Sequence, residues 1–180
     1  GVSSAASDVY KRQAKDCFIL SFCLIGMNSV DLYNAEICEN SEIVYCRTKT
    51  KDRRSDNAKI RIKIHPLILP IIKKYMDKTG KRVFRFYQMY ADQSTFNAAL
   101  NKGLKAVGKK IGIPDLEFYA ARHSWATIAR NDLNTDKSTI DEALNHVDKN
   151  LSVTDLYIKK DFSIINKVNK SVLDYIFNFT

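Results

Sequence analysis

Residues 58–64 read Ala-Lys-Ile-Arg-Ile-Lys-Ile, and this stretch restricts the fold most tightly. Alternating apolar and charged side chains have the two-residue period of a half-buried strand. Ile60, Ile62 and Ile64 face a core, while Lys59, Arg61 and Lys63 face water. Glu42 to Arg47 is a second strand-type run, and polar Thr48 to Asn57 joins the two as a long hairpin tip.

The other periodic stretches are helical. Ala14 to Gly26 is apolar and closely spaced, a buried helix ending near Gly26, followed by a short helix around Asp31 and Leu32. Pro66 opens a helix carrying Ile68, Ile71, Ile72 and Tyr75, which Gly80 stops. Val83 to Phe86 fits either a third strand or a loop edge. Ser94 and Thr95 are N-cap types ahead of Phe96, Leu100, Leu104 and Val107, and Gly112 and Pro114 end that helix. Tyr119 to Arg130, Thr139 to His146 and Phe162 to Phe177 complete the series; the last aligns Ile165, Val168, Val172 and Ile176. The expected class is therefore α+β, mainly α with a small antiparallel β-sheet, in one domain over residues 14–180. Residues 1–13 fit the pattern poorly and read as a disordered leader or a cloning remnant.

Charge narrows the partners. The net charge is +9, and eight basic residues lie between Arg47 and Lys63 against only Asp52 and Asp56. Such a block suits a polyanion, although a solvated, charge-rich hairpin accounts for it equally well. No apolar run is long enough for a membrane span, and no helix pairs a basic face with a bulky apolar one. Cys17, Cys23, Cys38 and Cys46 form no C-x-x-C pair and read as buried free thiols in a reducing cytosol, not as zinc ligands.

Four motifs carry chemistry, in this order: L-I-G-M-N-S-V-D-L at Leu24 to Leu32, R-T-K-T at Arg47 to Thr50, F-Y-A-A-R-H-S-W-A-T at Phe118 to Thr127, and L-N-H-V-D-K-N-L-S-V-T-D-L-Y at Leu144 to Tyr157. Together they resemble the catalytic domain of tyrosine recombinases, or phage integrases, whose boxes read T-G-L-R-x-x-E-L, a hairpin lysine, H-x-L-R-H-x-x-A-T, and L-G-H followed by T-T-x-x-Y. The resemblance spans residues 14–178 and implies the catalytic-domain fold of that family.

It also implies a site. Tyr157 is the expected nucleophile, forming a 3′-phosphotyrosyl link and releasing a 5′-hydroxyl. Arg122 grips the nonbridging oxygens with its planar fork, and His146 donates to the same oxygens. Lys49, on the hairpin, protonates the leaving oxygen. His123, Tyr119, Asn28 and Asp31 support the site. The link conserves the energy of the phosphodiester, so no metal, ATP or other cofactor is implied. Two positions depart from the family: its first arginine falls on Asn28, and the first histidine of its H-x-L-R-H box falls on Tyr119. Arg47, Arg53 and Arg54 are the candidates to restore the charge missing at Asn28, Arg47 first because it sits on the strand. The spacing from His146 to Tyr157 is longer than usual.

Apart from the resemblance, each of these side chains also fits a plainer structural role. Arg122 suits a pair with Asp115 or Glu117, His146 a helix cap, Asp31 a cap or an anchor for a nearby arginine or histidine, and Trp125 the core. The implied activity is strand cleavage and rejoining of double-stranded DNA in the cytoplasm of a bacterium, on the nucleoid, encoded by the host or a phage. It would serve integration or excision of a mobile element, as a tetramer on paired sites and a monomer when isolated. The resemblance implies that an N-terminal DNA-clamping domain normally precedes this one, and the chain is expected to lack it. Lys51, Arg53, Arg54, Lys102 and Lys105 are candidate phosphate contacts. The alternative is a catalytically inactive DNA-binding module of the same fold; a topoisomerase-like enzyme shares the chemistry, and a metal-dependent nuclease lacks a ligand motif.

Overall fold

Lys59–Lys63 (β3) is the strand its alternation requires, with Ile60 and Ile62 buried and Lys59 and Lys63 exposed. The computed structural model describes residues 2–146 and 153–178. Among them, β3 pairs antiparallel with Glu42–Cys46 (β2), which pairs with Ile37–Glu39 (β1), giving the order β1-β2-β3. The other main elements are helices: Val2–Cys23 (α1), Ser29–Asn34 (α2), Leu69–Tyr75 (α3), Phe86–Met89 (α4), Gln93–Ile111 (α5), Ala120–Thr127 (α6), Lys137–Ala143 (α7) and Phe162–Phe177 (α8), of which α8 packs on β3. The architecture is mainly helical with one small antiparallel sheet, an α+β class.

Several elements differ from the sequence expectation. The third strand is Ile37–Glu39; Phe84 makes only an isolated bridge to Met76. All three residues of β1 are exposed, so no burial alternation marks it. What secures it is the two-residue turn at Asn40 and Ser41, both at positive φ (51° and 59°), the hairpin geometry that matches strand twist. Helix α1 begins at Val2 and runs unbroken through the residues expected as a leader. Residues 4–10 are exposed on all sides, so their helix leaves no apolar period to read. The N-cap of α5 is Asp92, whose carboxylate accepts from Thr95 N at 2.7 Å, rather than Ser94 or Thr95. The helix expected over Tyr119 to Arg130 divides into α6 and a wider π turn over Ile128–Asp132. Helix α7 stops at Ala143, and Asn145 then turns the chain at φ 56°.

Helix α1 packs against α5 and α6. A β-carbon at Gly103 of α5 would lie 2.6 Å from Ala14 Cβ, so the close approach of the two helices requires glycine there. Helix α8 closes the core on its own body. Trp125, fully buried, donates from Nε1 to Asn169 Oδ1 (2.9 Å), and the same amide donates to Cys23 O (3.0 Å). One turn earlier, Asn166 accepts from Lys63 N (2.8 Å) and donates to Arg61 O (2.9 Å). Its amide thus fills the unpaired edge of β3 as a neighbouring strand would.

Candidate active site

The end of α7 is a corner of backbone that collects arginines. Arg122 Nη2 donates to Leu144 O, Arg47 Nη1 to Asn145 O at 3.2 Å, and Arg54 Nη1 to His146 O at 2.8 Å. Carbonyls at a helix end have no intrahelical partner and carry the negative end of the dipole, so cations satisfy them well. Arg122, on α6, also donates from Nη1 to Gly26 O at 3.2 Å. It pairs with these carbonyls, not with Asp115 or Glu117. Arg122 and Arg47 are each only 4% exposed.

Asp31 of α2 faces both guanidinium groups. Its Oδ1 accepts from Thr48 N (2.9 Å) and Thr48 Oγ1 (2.8 Å), which ties α2 to the start of the hairpin tip. Asp31 Oδ2 and Arg47 Nε are the two buried side-chain polar atoms that lack a hydrogen-bond partner among the described residues. Burial pushes the Asp31 carboxyl above its usual range, against the pull of Thr48, Arg47 and Arg122. Burial and the adjacent Arg47 charge bring Arg122 below the usual guanidinium range. Burial and Asp31 raise the phenol of Tyr45 on β2.

A second group lies along a groove of about 460 Å³ lined by Asn28, Ser29, Lys49, Asn97, Asn101 and Tyr119, among others. Lys49, Asn28 and Tyr119 therefore share one surface. His123, exposed, meets Tyr119 edge to face at 4.8 Å between ring centroids. His146 projects to solvent, its Nδ1 2.9 Å from Asp141 Oδ1. Tyr157 follows the 3-10 turn Val153–Leu156 and is 83% exposed. Its amide donates to Thr154 O at 3.0 Å, and its hydroxyl has no hydrogen-bond partner among the described residues. The stretch of the fourth motif over 147–152 lies outside the described residues.

Lys51, Arg53, Lys102 and Lys105 are exposed. Arg54 differs: both ends of its fork engage Asp56 while Nη1 reaches His146 O. Cys17 and Cys23 are buried, with Cys23 pushed up to about 12 by burial. Cys38 and Cys46 are exposed, correcting the expectation of four buried thiols; Cys38 lies on the exposed edge strand β1 and Cys46 at the exposed end of β2. Among the described residues no group of three His, Cys, Asp or Glu side chains could hold a metal ion.

Three participants went unmarked as site residues in the sequence. Asn145 is 1% exposed; its carbonyl also takes Thr50 Oγ1 (3.5 Å) and its Oδ1 takes Lys160 Nζ (3.1 Å). It turns the chain at positive φ, and asparagine is among the residues that best tolerate that left-handed backbone. Gly26 cradles Arg122, and Lys160 carries no motif at all. Comparison with protein-family models, curated proteins and solved structures returned no match for this chain.

Proposed function

We propose that this chain cleaves and rejoins double-stranded DNA through Tyr157, as tyrosine recombinases do, for integration or excision of a mobile element. One observation carries the reading. Arg47 and Arg122 lie side by side over Asp31, and Arg47 keeps a buried donor, Nε, with no partner among the described residues. Buried unpaired donors are rare, and one that is cationic and fixed suits an anion with tetrahedral oxygens. The neighbouring Arg47 supports the view that the hairpin supplies the charge missing at Asn28.

In this mechanism the phenol of Tyr157 gives up its proton to water as its oxygen attacks phosphorus in line, forming the phosphotyrosyl bond while the bond to the 5′-oxygen breaks. Arg122, Arg47 and His146 stabilise charge on the nonbridging oxygens, and Lys49 gives its proton to the leaving oxygen. DNA phosphate takes the guanidinium groups in competition with the carbonyls that hold them now. The exposed tyrosine moves onto the site as the complex assembles. The close fit of α8 to its own body supports a monomer in the absence of DNA.

A second reading, a DNA-binding module without catalysis, is favoured by one fact: both Nη atoms of Arg122 already donate to backbone. Covalent trapping separates the two. The protein is incubated with nicked and supercoiled DNA in EDTA, stopped with SDS, and examined for protein-linked DNA beside Tyr157→Phe and Arg122→Ala. An adduct that Tyr157→Phe abolishes is the expected result. Salt-sensitive binding with no adduct from any form would establish the second reading instead.

A further inference from the structure

Lys160 is a half-buried cation that the mechanism above does not use. Its ammonium donates to Lys59 O and to Asn145 Oδ1, both at 3.1 Å. It also lies 5.1 Å from the centroid of the Phe162 ring, a cation–π contact. Asn145 is the residue whose carbonyl receives Arg47, and its Nδ2 donates across to Ala58 O. One side chain beyond the tyrosine is therefore tied to the same corner that collects the arginines, and to the end of β3.

The surroundings do not favour a cation for stability alone. Arg54 faces Lys160 from the hairpin with like charge, while Asp56 beside it and Glu142 of α7 oppose. Burial first, then Arg54, brings the ammonium below the usual lysine range. A buried charge of this kind contributes little net stability compared with an apolar residue of the same size, but its bonds fix register. The register it fixes matters because Lys160 follows Tyr157 by three positions. Three residues of chain span at most about 10 Å, so the clasp limits how far the tyrosine can stand from the corner.

We infer that Lys160 is a positioning residue, whose ammonium clasps the tyrosine-bearing segment to Asn145 and the end of β3. It touches neither substrate nor the reacting atoms. Its role is to keep Tyr157 within reach of Arg122 and Arg47 while leaving the tyrosine side chain free to turn. The inference rests on the strand-transferase reading for its consequence, but the clasp itself is a property of the protein without DNA.

The experiment compares wild type with Lys160→Met, which keeps length and loses the donor, and Lys160→Arg, which restores a cationic donor. Amide hydrogen exchange over residues 157–161 reads the clasp directly, without any reaction. Exchange is expected to rise about tenfold in Lys160→Met and to return towards wild type in Lys160→Arg. Adduct formation is expected to slow by about tenfold or more in Lys160→Met at unchanged DNA affinity, since misplacing a nucleophile costs rate rather than binding. Recovery in Lys160→Arg separates positioning from mere packing. Equal exchange in wild type and Lys160→Met overturns the clasp, and equal adduct rates with altered exchange overturn the positioning role. Failure of wild type itself to form an adduct counts against the strand-transferase reading and against any positioning role in it, while the exchange result still decides the clasp.

Discussion

Arg122 and Arg47 donate to consecutive carbonyl oxygens, those of Leu144 and Asn145. Two like charges held this close are tolerable because each finds an oxygen at the end of α7 and both face Asp31. The arrangement makes the corner at 144–146 the joint between three parts distant in sequence: the hairpin, α6, and the segment leading to Tyr157. Arg54 adds a third tie, to His146 O. Anything that disturbs this corner disturbs all three parts together.

Gly26 is the first test of that joint. Its φ is 63°, and a β-carbon there would lie 2.7 Å from Cα, Cβ and Cγ of Arg122. Gly26→Ala therefore meets both a backbone penalty and an overlap that no rotamer of Arg122 relieves, because Cα is among the atoms struck. A loss of about 2–4 kcal/mol in unfolding free energy is expected, measured by urea denaturation. A variant as stable as wild type would mean that the loop and α6 separate readily, and that Arg122 is not rigidly held.

Acid should loosen the hairpin from the corner. The Asp56 carboxyl is held below its ordinary value of 3.8, first by its hydrogen bond from Arg54 and also by Ala58 N. A depressed folded-state value means stabilisation that is present above the unfolded-state value and lost as pH falls through the folded-state one. The window is thus below 3.8. Wild type is expected to exceed Asp56→Asn in stability by a constant amount at neutral pH, with the two curves converging in that acid window. Denaturation at a series of pH values checks this; a gap that persists unchanged into acid would show that the carboxylate charge is not what orders the hairpin tip.

How far the sequence reveals these relationships depends on how each residue signals itself. The alternation of β3 and most of the stripe on α8 are legible because burial follows a period: Ile60, Ile62, Ile165 and Val172 are buried, although Ile176, last on that stripe, is exposed. Strand β1 is illegible for the converse reason, since Ile37, Cys38 and Glu39 are all exposed and only the turn at Asn40 and Ser41 defines them. Candidate site residues stood out where their motif is local, as with Arg122. Asn145 and Lys160 act through backbone carbonyls of residues far away in the chain, such as Ala58 and Lys59, and contacts of that kind leave no spacing to read. The same holds for Asp31 and Thr48, where the pairing depends on how α2 meets the hairpin.

The exposed cations should act on DNA as a set. Lys51 and Arg53 lie on the hairpin tip and Lys102 and Lys105 on α5, all solvent-facing. Each phosphate contact removed should lower the slope of log affinity against log salt by roughly 0.9. Replacing all four by alanine should weaken binding for every sequence alike, because phosphate contacts carry no base information. Fluorescence anisotropy across a salt series tests this with random and defined duplexes. An unchanged slope would remove these residues from the DNA face.

Lys49 offers the sharpest test of chemistry, because its assigned role concerns one proton. It lines the groove with Asn28 and Tyr119, and in the proposed mechanism it would protonate the leaving oxygen from there. Removing a general acid typically costs about 10²–10⁴ in rate when the leaving group is an alkoxide. Lys49→Ala should show that loss in adduct formation on ordinary DNA. A substrate with sulfur in place of the bridging 5′-oxygen leaves as a stable thiolate and needs no proton, so the variant should cleave it nearly as fast as wild type does. Arg122→Ala should remain slow on both substrates, since the charge on the nonbridging oxygens is the same in each. If sulfur fails to rescue Lys49→Ala, the lysine binds phosphate instead, and another group on the groove protonates the leaving oxygen.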